Sequence, residues 1–403
     1  MLRKRKQILI GIITLCSLTL SPFLNAQTDI QLLEKELTKI QSKSKIPGFA
    51  LAIVKNDSLI YSKGFGYANI KTKQPYTIET IQPIASISKT FIGLALMKAI
   101  EQGYFTLETD INDILPFKII NPFQPNSIIR IKNLVTHTSG LIDNDSVFIS
   151  SYSLTQKPKM DFKTFFKEYY TPSGKLYSSS NFANAKPGEQ YNYSNIAAAL
   201  VAYLIELKTN VPFPEYTSKY IFEPLQMQDT YWFYDSSKTE KYATLYEITK
   251  QTSPEYKMLL NADNSVKPYI DITYPDGKLY SSIQDMTKYL TAMITGYATG
   301  KGILSPSSFQ TLFAKQYDET NTPADLEAEE PNRAVFWAYD TKGRITHTGS
   351  DYGLTSFILF DPKTKTGDIL FFNAAFDGAN NEKAIKDVAA ILSEIGKFKN
   401  KLK

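Results

Sequence analysis

Phe49–Lys55 (FALAIVK) and Leu59–Phe65 (LIYSKGF), separated by Asn56-Asp57-Ser58, decide the fold. Both runs are short and largely apolar, and three turn-forming residues stand between them, so together they read as a β-hairpin. Strands joined by so short a turn pair antiparallel. Upstream, residues 29–43 (DIQLLEKELTKIQSK) place Ile30, Leu33, Leu37 and Ile40 at helical spacing before Ile46-Pro47-Gly48 breaks the chain. Downstream, a helix runs from about Lys89 to Glu101, with Gly103 as its stop. Residues 115–185 are richer in Pro, Ser, Asn and Tyr, and Pro116, Pro122 and Pro125 interrupt any long element. Ile196–Leu207 (IAAALVAYLIEL) reads as a buried helix and Ser282–Ile294 as another. Strand character returns at Ala334–Tyr339, Arg344–Thr346, Thr355–Phe360 and Ile369–Phe372, and Ala384–Ile395 closes the chain as an amphipathic helix. No internal repeat is present. This order predicts an α/β fold, an α+β sandwich. An antiparallel β-sheet flanked by N- and C-terminal helices takes residues of about 27–85 and 270–403. A mostly helical second lobe takes about 86–269, and the seam is a natural cleft.

Composition narrows the chemistry. The 403 residues are 43% hydrophobic and 21% charged, as in an ordinary globular protein, which excludes disorder and fibrous repeats. At about 150 residues per domain the length suggests two or three units. One cysteine excludes a disulfide framework. His137 and His347, the two histidines, lie 210 positions apart, so a zinc site is not expected, nor any cofactor. Catalysis must draw on Ser, Lys, Tyr, carboxylates or these two imidazoles.

Residues 1–26 read as a secretory leader. Arg3, Lys4, Arg5 and Lys6 precede the apolar run Ile8 to Leu20, and Leu24-Asn25-Ala26 supplies a small residue at the cut. The run is short for a membrane span. An uncleaved anchor, or lipidation at Cys16, stands as the alternative. Cleavage leaves 27–403 as the mature domain, with 41 basic against 40 acidic side chains. The formal charge of +5 therefore belongs mostly to the leader and gives no reason to expect nucleic acid. The expected location is periplasmic or secreted, without stable membrane insertion.

Three short motifs carry chemistry. Ser86-Ile87-Ser88-Lys89 opens a helix, which puts a hydroxyl and an amine on one face about a turn apart. A serine hydroxyl is a poor nucleophile until a neighbour takes its proton. Lysine can do so when burial or another cation lowers its pKa. Ser42-Lys43-Ser44-Lys45 matches the same spacing in a polar stretch, so the pattern alone is weak. Tyr193-Ser194-Asn195 offers a phenol for proton relay and an amide to orient a substrate amide; a core tyrosine beside a helix cap fits equally well. His347-Thr348-Gly349-Ser350 lies on or just after a strand, where backbone N–H groups can meet an oxyanion. His137, within Leu134–Leu141, reads as structural.

In this order the motifs resemble those of the serine β-lactamase and penicillin-binding superfamily, in its class C β-lactamase-like branch, which includes D-alanyl-D-alanine carboxypeptidases and esterases. Ile46–Ala50 with Gly64–Asn69, Leu134–Leu141, Pro224–Thr230, and Asp276–Ser282 with Asp285 are similar to further segments of that family. The resemblance implies Ser86 as nucleophile, Lys89 as its activating partner and Tyr193 sharing the acid and base roles. It implies Asn195 on the substrate amide, His347, Thr348 and Gly349 along the pocket edge, and the N–H groups of Ser86 and Ser350 as oxyanion hole. The family fold it implies is the sandwich with a helical lobe.

Three departures stand out. His347 replaces the lysine of true β-lactamases, Gln226 replaces a usual glycine, and residues 145–185 and 235–275 look lineage-specific. If His347 meets a substrate carboxylate as imidazolium, affinity for acidic substrates falls between about pH 6 and 8. The leading expectation is an exported serine hydrolase forming an acyl-enzyme on a D-Ala-D-Ala-type peptide. The small-molecule or peptide partner would be a peptidoglycan-type peptide, a β-lactam or an ester. The alternatives are a β-lactamase, a carboxylesterase, or a non-catalytic penicillin- or peptidoglycan-binding module. A Ser-His-Asp hydrolase has no G-x-S-x-G elbow to support it.

Overall fold

A computed structural model describes residues 27–155, 157–248, 254–376 and 381–402; the expected leader, with Cys16, lies outside these. The hairpin that decided the fold is present as β1 (Gly48–Lys55) and β2 (Ser58–Asn69), turning at Asn56 with φ 56°. Asparagine tolerates that left-handed backbone better than most residues. β3 (Gln74–Pro75) extends this edge, while β4 (Ile81–Pro83) pairs with β5 (Tyr280–Ser282) in a small separate sheet.

The main sheet is antiparallel, in the order β3-β2-β1-β10-β9-β8-β7-β6. Its last five strands are β6 (Asn332–Arg333), β7 (Ala338–Tyr339), β8 (Ile345–Asp351), β9 (Leu354–Asp361) and β10 (Thr366–Phe372). β1 lies between β2 and β10, so Leu51 faces Lys63 on one side and Leu370 on the other. Seven of its eight residues are buried, as expected of a strand covered on both faces.

The structure corrects one expected strand. Ala334–Tyr339 is not continuous: the chain turns over Ala334–Trp337, with Phe336 at φ 53°, and only Ala338 and Tyr339 are strand. The apolar run there is buried turn, because Ala334 N–H donates to the Trp337 carbonyl at 2.8 Å and closes it.

Residues Ile46–Asn381 form one compact unit, and the terminal segments form another. In the latter, α1 (27–43) and the closing helix Glu382–Lys401 meet through Lys401–Asp29 at 2.6 Å and through Lys383 Nζ on the Lys43 carbonyl at 2.7 Å.

Two helices set the site. α2 (Ser88–Glu101) is buried around nearly its whole circumference, and helix Asn195–Thr209 packs against it with its apolar run fully enclosed. Apolar residues on every face explain this, since no side of either helix favours water. Phe91 of α2 stacks on Tyr289 at 4.0 Å. Each such side chain contributes about 1.5–3 kcal/mol by leaving water. Among the described residues no single helix is long and apolar enough to cross a membrane.

Two of the sequence segments singled out above meet one another. The Asp285 carboxylate accepts from Asp229 N–H at 2.7 Å and Thr230 Oγ1 at 3.0 Å, and Thr230 Oγ1 lies 2.8 Å from Ser281 Oγ. Gln226, in the place of a usual glycine, keeps the left-handed backbone at φ 56°.

Candidate active site

Ser86 sits on the single 3-10 turn Ala85–Ile87 that leads into α2. Ala85 is held at φ 47°, a strained backbone for alanine. Two hydroxyls fix it there: Ser88 Oγ donates to the Ala85 carbonyl at 2.6 Å, and Ser356 Oγ to the Ile84 carbonyl at 2.8 Å. Lys89 follows one turn later and is wholly buried. Its Nζ donates to Ser86 Oγ at 3.1 Å, to Asn195 Oδ1 at 2.7 Å and to the Asp276 carbonyl at 2.7 Å. These three acceptors match the three N–H bonds of an ammonium. Ser86, Lys89 and Asn195 are thus joined in one hydrogen-bonded set.

Tyr193 joins through its ring, which lies 5.0 Å from Lys89 Nζ and stacks on His137 at 4.3 Å. The side chain is exposed, and its hydroxyl has no hydrogen-bond partner among the described residues. His137 holds this turn from beneath. Its carbonyl accepts from Asn192 N–H at 2.8 Å, and its Nδ1 accepts from Ser194 N–H at 3.2 Å. Accepting at Nδ1 requires that nitrogen to be unprotonated. Burial, then the nearby Lys89 and Arg333 charges, hold His137 well below the usual histidine range, so the ring is neutral. His137 is structural, as its sequence suggests, and what it supports is the Tyr193 turn.

Asp143 anchors the same turn and has no signal in the sequence. Its carboxylate accepts from Ser194 Oγ at 2.6 Å, Asn195 N–H at 2.7 Å and Ile196 N–H at 3.0 Å. It therefore satisfies open donors at the start of helix Asn195–Thr209, where negative charge is also favoured.

His347, Thr348, Gly349 and Ser350 lie on β8, which passes directly beside the Ser86 turn. A Cβ on Gly349 would stand 2.4 Å from Ser356 Oγ and 2.6 Å from the Ile84 carbonyl. Only glycine permits that approach. His347 Nδ1 donates to the Thr348 carbonyl at 2.7 Å, which places its proton on Nδ1. Burial depresses the ring's pKa, the Lys89 charge adds to this, and the Thr348 bond opposes it. The net shift is downward. The half-buried imidazole is neutral at pH 7 in the chain without substrate.

Two cavities of about 280 and 270 Å³ share Ser86, Tyr193 and Ser350 and lie on either side of the serine. The first takes in His347, Thr348 and Arg333; the second takes in Asn195 and Asp351. The Arg333 guanidinium is engaged by Glu327 at 2.7 Å and by Glu330, and lies 4.6 Å over the Tyr191 ring. None of these four residues was legible as functional in the sequence. Chemically, the arrangement offers a hydroxyl polarised by a buried cation, an exposed phenol beside it, and a strand edge facing both.

The Beta-lactamase family profile matches residues 32–392. The chain belongs to the β-lactamase family. Among curated relatives, "Protein flp" of Staphylococcus aureus strain MW2 is 24% identical over 331 residues, 82% of this chain and 60% of that protein. The human "Serine beta-lactamase-like protein LACTB, mitochondrial" is 24% identical over 402 residues, covering 81% of this chain and 71% of its own length. The chain thus spans about 60% of the length of the flp relatives. Two solved structures share the β-lactamase family fold. An octameric penicillin-binding protein homologue from Pyrococcus abyssi superposes with a TM-score of 0.64 at 24% identity, over 86% of this chain and 74% of its own. A β-lactamase/D-alanine carboxypeptidase from Pseudomonas syringae gives 0.67 at 18% identity, over 91% and 99%.

Proposed function

We propose that this β-lactamase-family chain is an exported serine hydrolase that forms an acyl-enzyme at Ser86, with D-Ala-D-Ala-type peptides as its leading substrate class. The observation that carries the reading is Lys89 Nζ, buried and bonded at once to Ser86 Oγ and Asn195 Oδ1. Ser86 Oγ attacks the scissile carbonyl carbon. With one Nζ proton gone, Lys89 presents a lone pair to Ser86 Oγ and takes its proton, which passes by way of Tyr193 to the leaving nitrogen, and the N–H groups of Ser86 and Ser350 take the oxyanion. Water then cleaves the acyl ester and restores the hydroxyl. Asn195 orients the substrate amide, while His347 and Thr348 border the leaving-group side.

Intact-mass measurement with a fluorophosphonate and with a penicillin tests the covalent step. The expected result is one adduct, localised to Ser86 and absent from Ser86→Ala. No adduct with either reagent rejects the mechanism.

One observation favours a carboxylesterase as second reading. On the His347 side, Arg333 is the cation among the described lining residues, and Glu327 and Glu330 already hold it. A terminal carboxylate meets a neutral histidine there. Turnover of a D-Ala-D-Ala peptide above that of its C-terminal amide supports the peptidase; p-nitrophenyl ester turnover exceeding both supports the esterase.

A further inference from the structure

The cavity on the His347 side of Ser86 has one permanent cation among its described lining residues, Arg333, and two carboxylates, Glu327 and Glu330. Arg333 is 7% exposed, and its guanidinium is fixed 4.6 Å over the Tyr191 ring. Its Nη2 donates to Glu327 Oε2 at 2.7 Å and its Nη1 to Glu330 Oε2. The planar fork of a guanidinium is shaped to give two parallel N–H bonds to a single carboxylate. Here two carboxylates divide the fork, one terminal nitrogen each, and acid exceeds base by one charge.

The two glutamates are not held alike. The Glu330 side chain is 21% exposed, whereas that of Glu327 is 52% exposed. Water competes for an exposed ion pair, so the Glu327 bond is the weaker one. Burial raises the Glu330 carboxyl above its usual range, Arg333 opposes the rise, and the like charge of Glu327 adds to it. The segment that carries both is tied down beside the Tyr193 turn. Tyr191 N–H donates to the Ala324 carbonyl at 2.9 Å, Ala324 N–H to the Glu189 carbonyl at 2.8 Å, and Gln190 Nε2 to Asp325 at 2.7 Å. The fold therefore presents these carboxylates to the cavity from an anchored backbone.

We infer that Glu327 and Glu330 are specificity-determining residues that compete with a leaving-group carboxylate for Arg333, Glu327 being the one such a carboxylate displaces. The inference rests on the reading that Ser86 is acylated, and it names the residues that decide between a leaving group ending in a carboxylate and a neutral one. A leaving-group carboxylate beside His347 has no second permanent cation to turn to in the described lining, because both histidines there are neutral. It gains the fork only as the chain's own carboxylate gives it up. A neutral leaving group incurs no such exchange and meets the Phe336 and Trp337 side chains that also line the cavity.

The test uses three ethyl aryl methylphosphonates whose aryl group ends, beyond one methylene, in a carboxylate, a carboxamide or an amine. Ser86 Oγ bonds to phosphorus, the P–O(aryl) bond breaks, and the aryl oxide departs with the serine's proton, so all three leave the same adduct. Its rate of formation is read by intact mass on the whole chain, each rate divided by that of the probe's hydrolysis in hydroxide. In Glu327→Gln the carboxylate-to-carboxamide ratio is expected to rise at least about tenfold, the scale of one charged hydrogen bond. Glu330→Gln should raise it too, and the amine-to-carboxamide ratio should fall in both. Ratios are internal to each protein, so a variant that folds incompletely still reports. In Glu327→Gln combined with Arg333→Gln the gain should vanish. A gain that survives there overturns the competition for Arg333, since loss of one negative charge then accounts for it. Ratios unchanged in both single variants overturn the inference while leaving Ser86 acylation standing, as does a fluorophosphonate adduct with none from the aryl probes. No adduct from the aryl probes or a fluorophosphonate overturns the Ser86 reading and this inference with it.

Discussion

At the scale of single residues, Asp143 is where geometry and chemistry join most tightly. Three donors from Ser194, Asn195 and Ile196 converge on one carboxylate, so removing its charge leaves buried N–H groups facing an amide that brings donors of its own. Asp143→Asn is expected to cost about 1–3 kcal/mol of stability. It should also lower kcat/KM against any acyl substrate by tenfold or more, because Tyr193 and Asn195 share the displaced turn. Thermal denaturation and steady-state kinetics check both. Unchanged kinetics in a destabilised protein would reduce Asp143 to a helix cap. The site also shows what sequence can and cannot carry. Ser86 and Lys89 were readable because a separation of three on a helix is itself geometry. Asp143 was not, because its partners lie 51 to 53 positions away and only the fold brings them together.

At the scale of elements, the site depends on how closely β8 can run beside the Ser86 turn. Gly349→Ala would set a methyl against the Ile84 carbonyl and Ser356 Oγ, both of which hold that turn. Backbone cannot yield as a flexible side chain does, so β8 must move outward. Adduct formation at Ser86 by a fluorophosphonate is expected to slow at least about tenfold, on the scale of a lost oxyanion donor. Gly→Ala at Gly396, on the closing helix, where a Cβ meets nothing within 4 Å, is the control and should leave the rate unchanged. Equal rates in the two variants would reject a positioning role for Gly349. Element by element, the hairpin, the helices and β8 to β10 were legible from apolar periodicity and turn residues. The Ala334–Tyr339 run misled because a buried turn and a buried strand share one apolar composition. Pairing order was beyond the sequence too: nothing local tells β1 to sit beside β10.

At the scale of the whole molecule, buried ionisable groups around the site give the fold a pH response with opposing parts. His137 is 3% exposed and its folded pKa lies well below 6.5. Its contribution is therefore complete above the unfolded value and is lost as pH falls, since the unfolded chain takes up the proton first. Asp271 acts in the other direction. Its folded pKa of about 6 exceeds the unfolded value of 3.8, so its burial destabilises progressively as pH rises from about 4 to 6. The overall profile is flattened where these overlap, and a single substitution separates them. His137→Asn keeps an acceptor for Ser194 N–H and suits the left-handed backbone at φ 57°, yet cannot titrate. At pH 7 the variant should be the less stable, through lost stacking on Tyr193. Its deficit should then shrink by about 1.4 kcal/mol for each pH unit below 6.5, because only the original chain has a neutral buried imidazole to forfeit. Urea unfolding of both proteins at pH 7, 6 and 5 reads this directly, and parallel profiles would show that folding does not lower the His137 pKa.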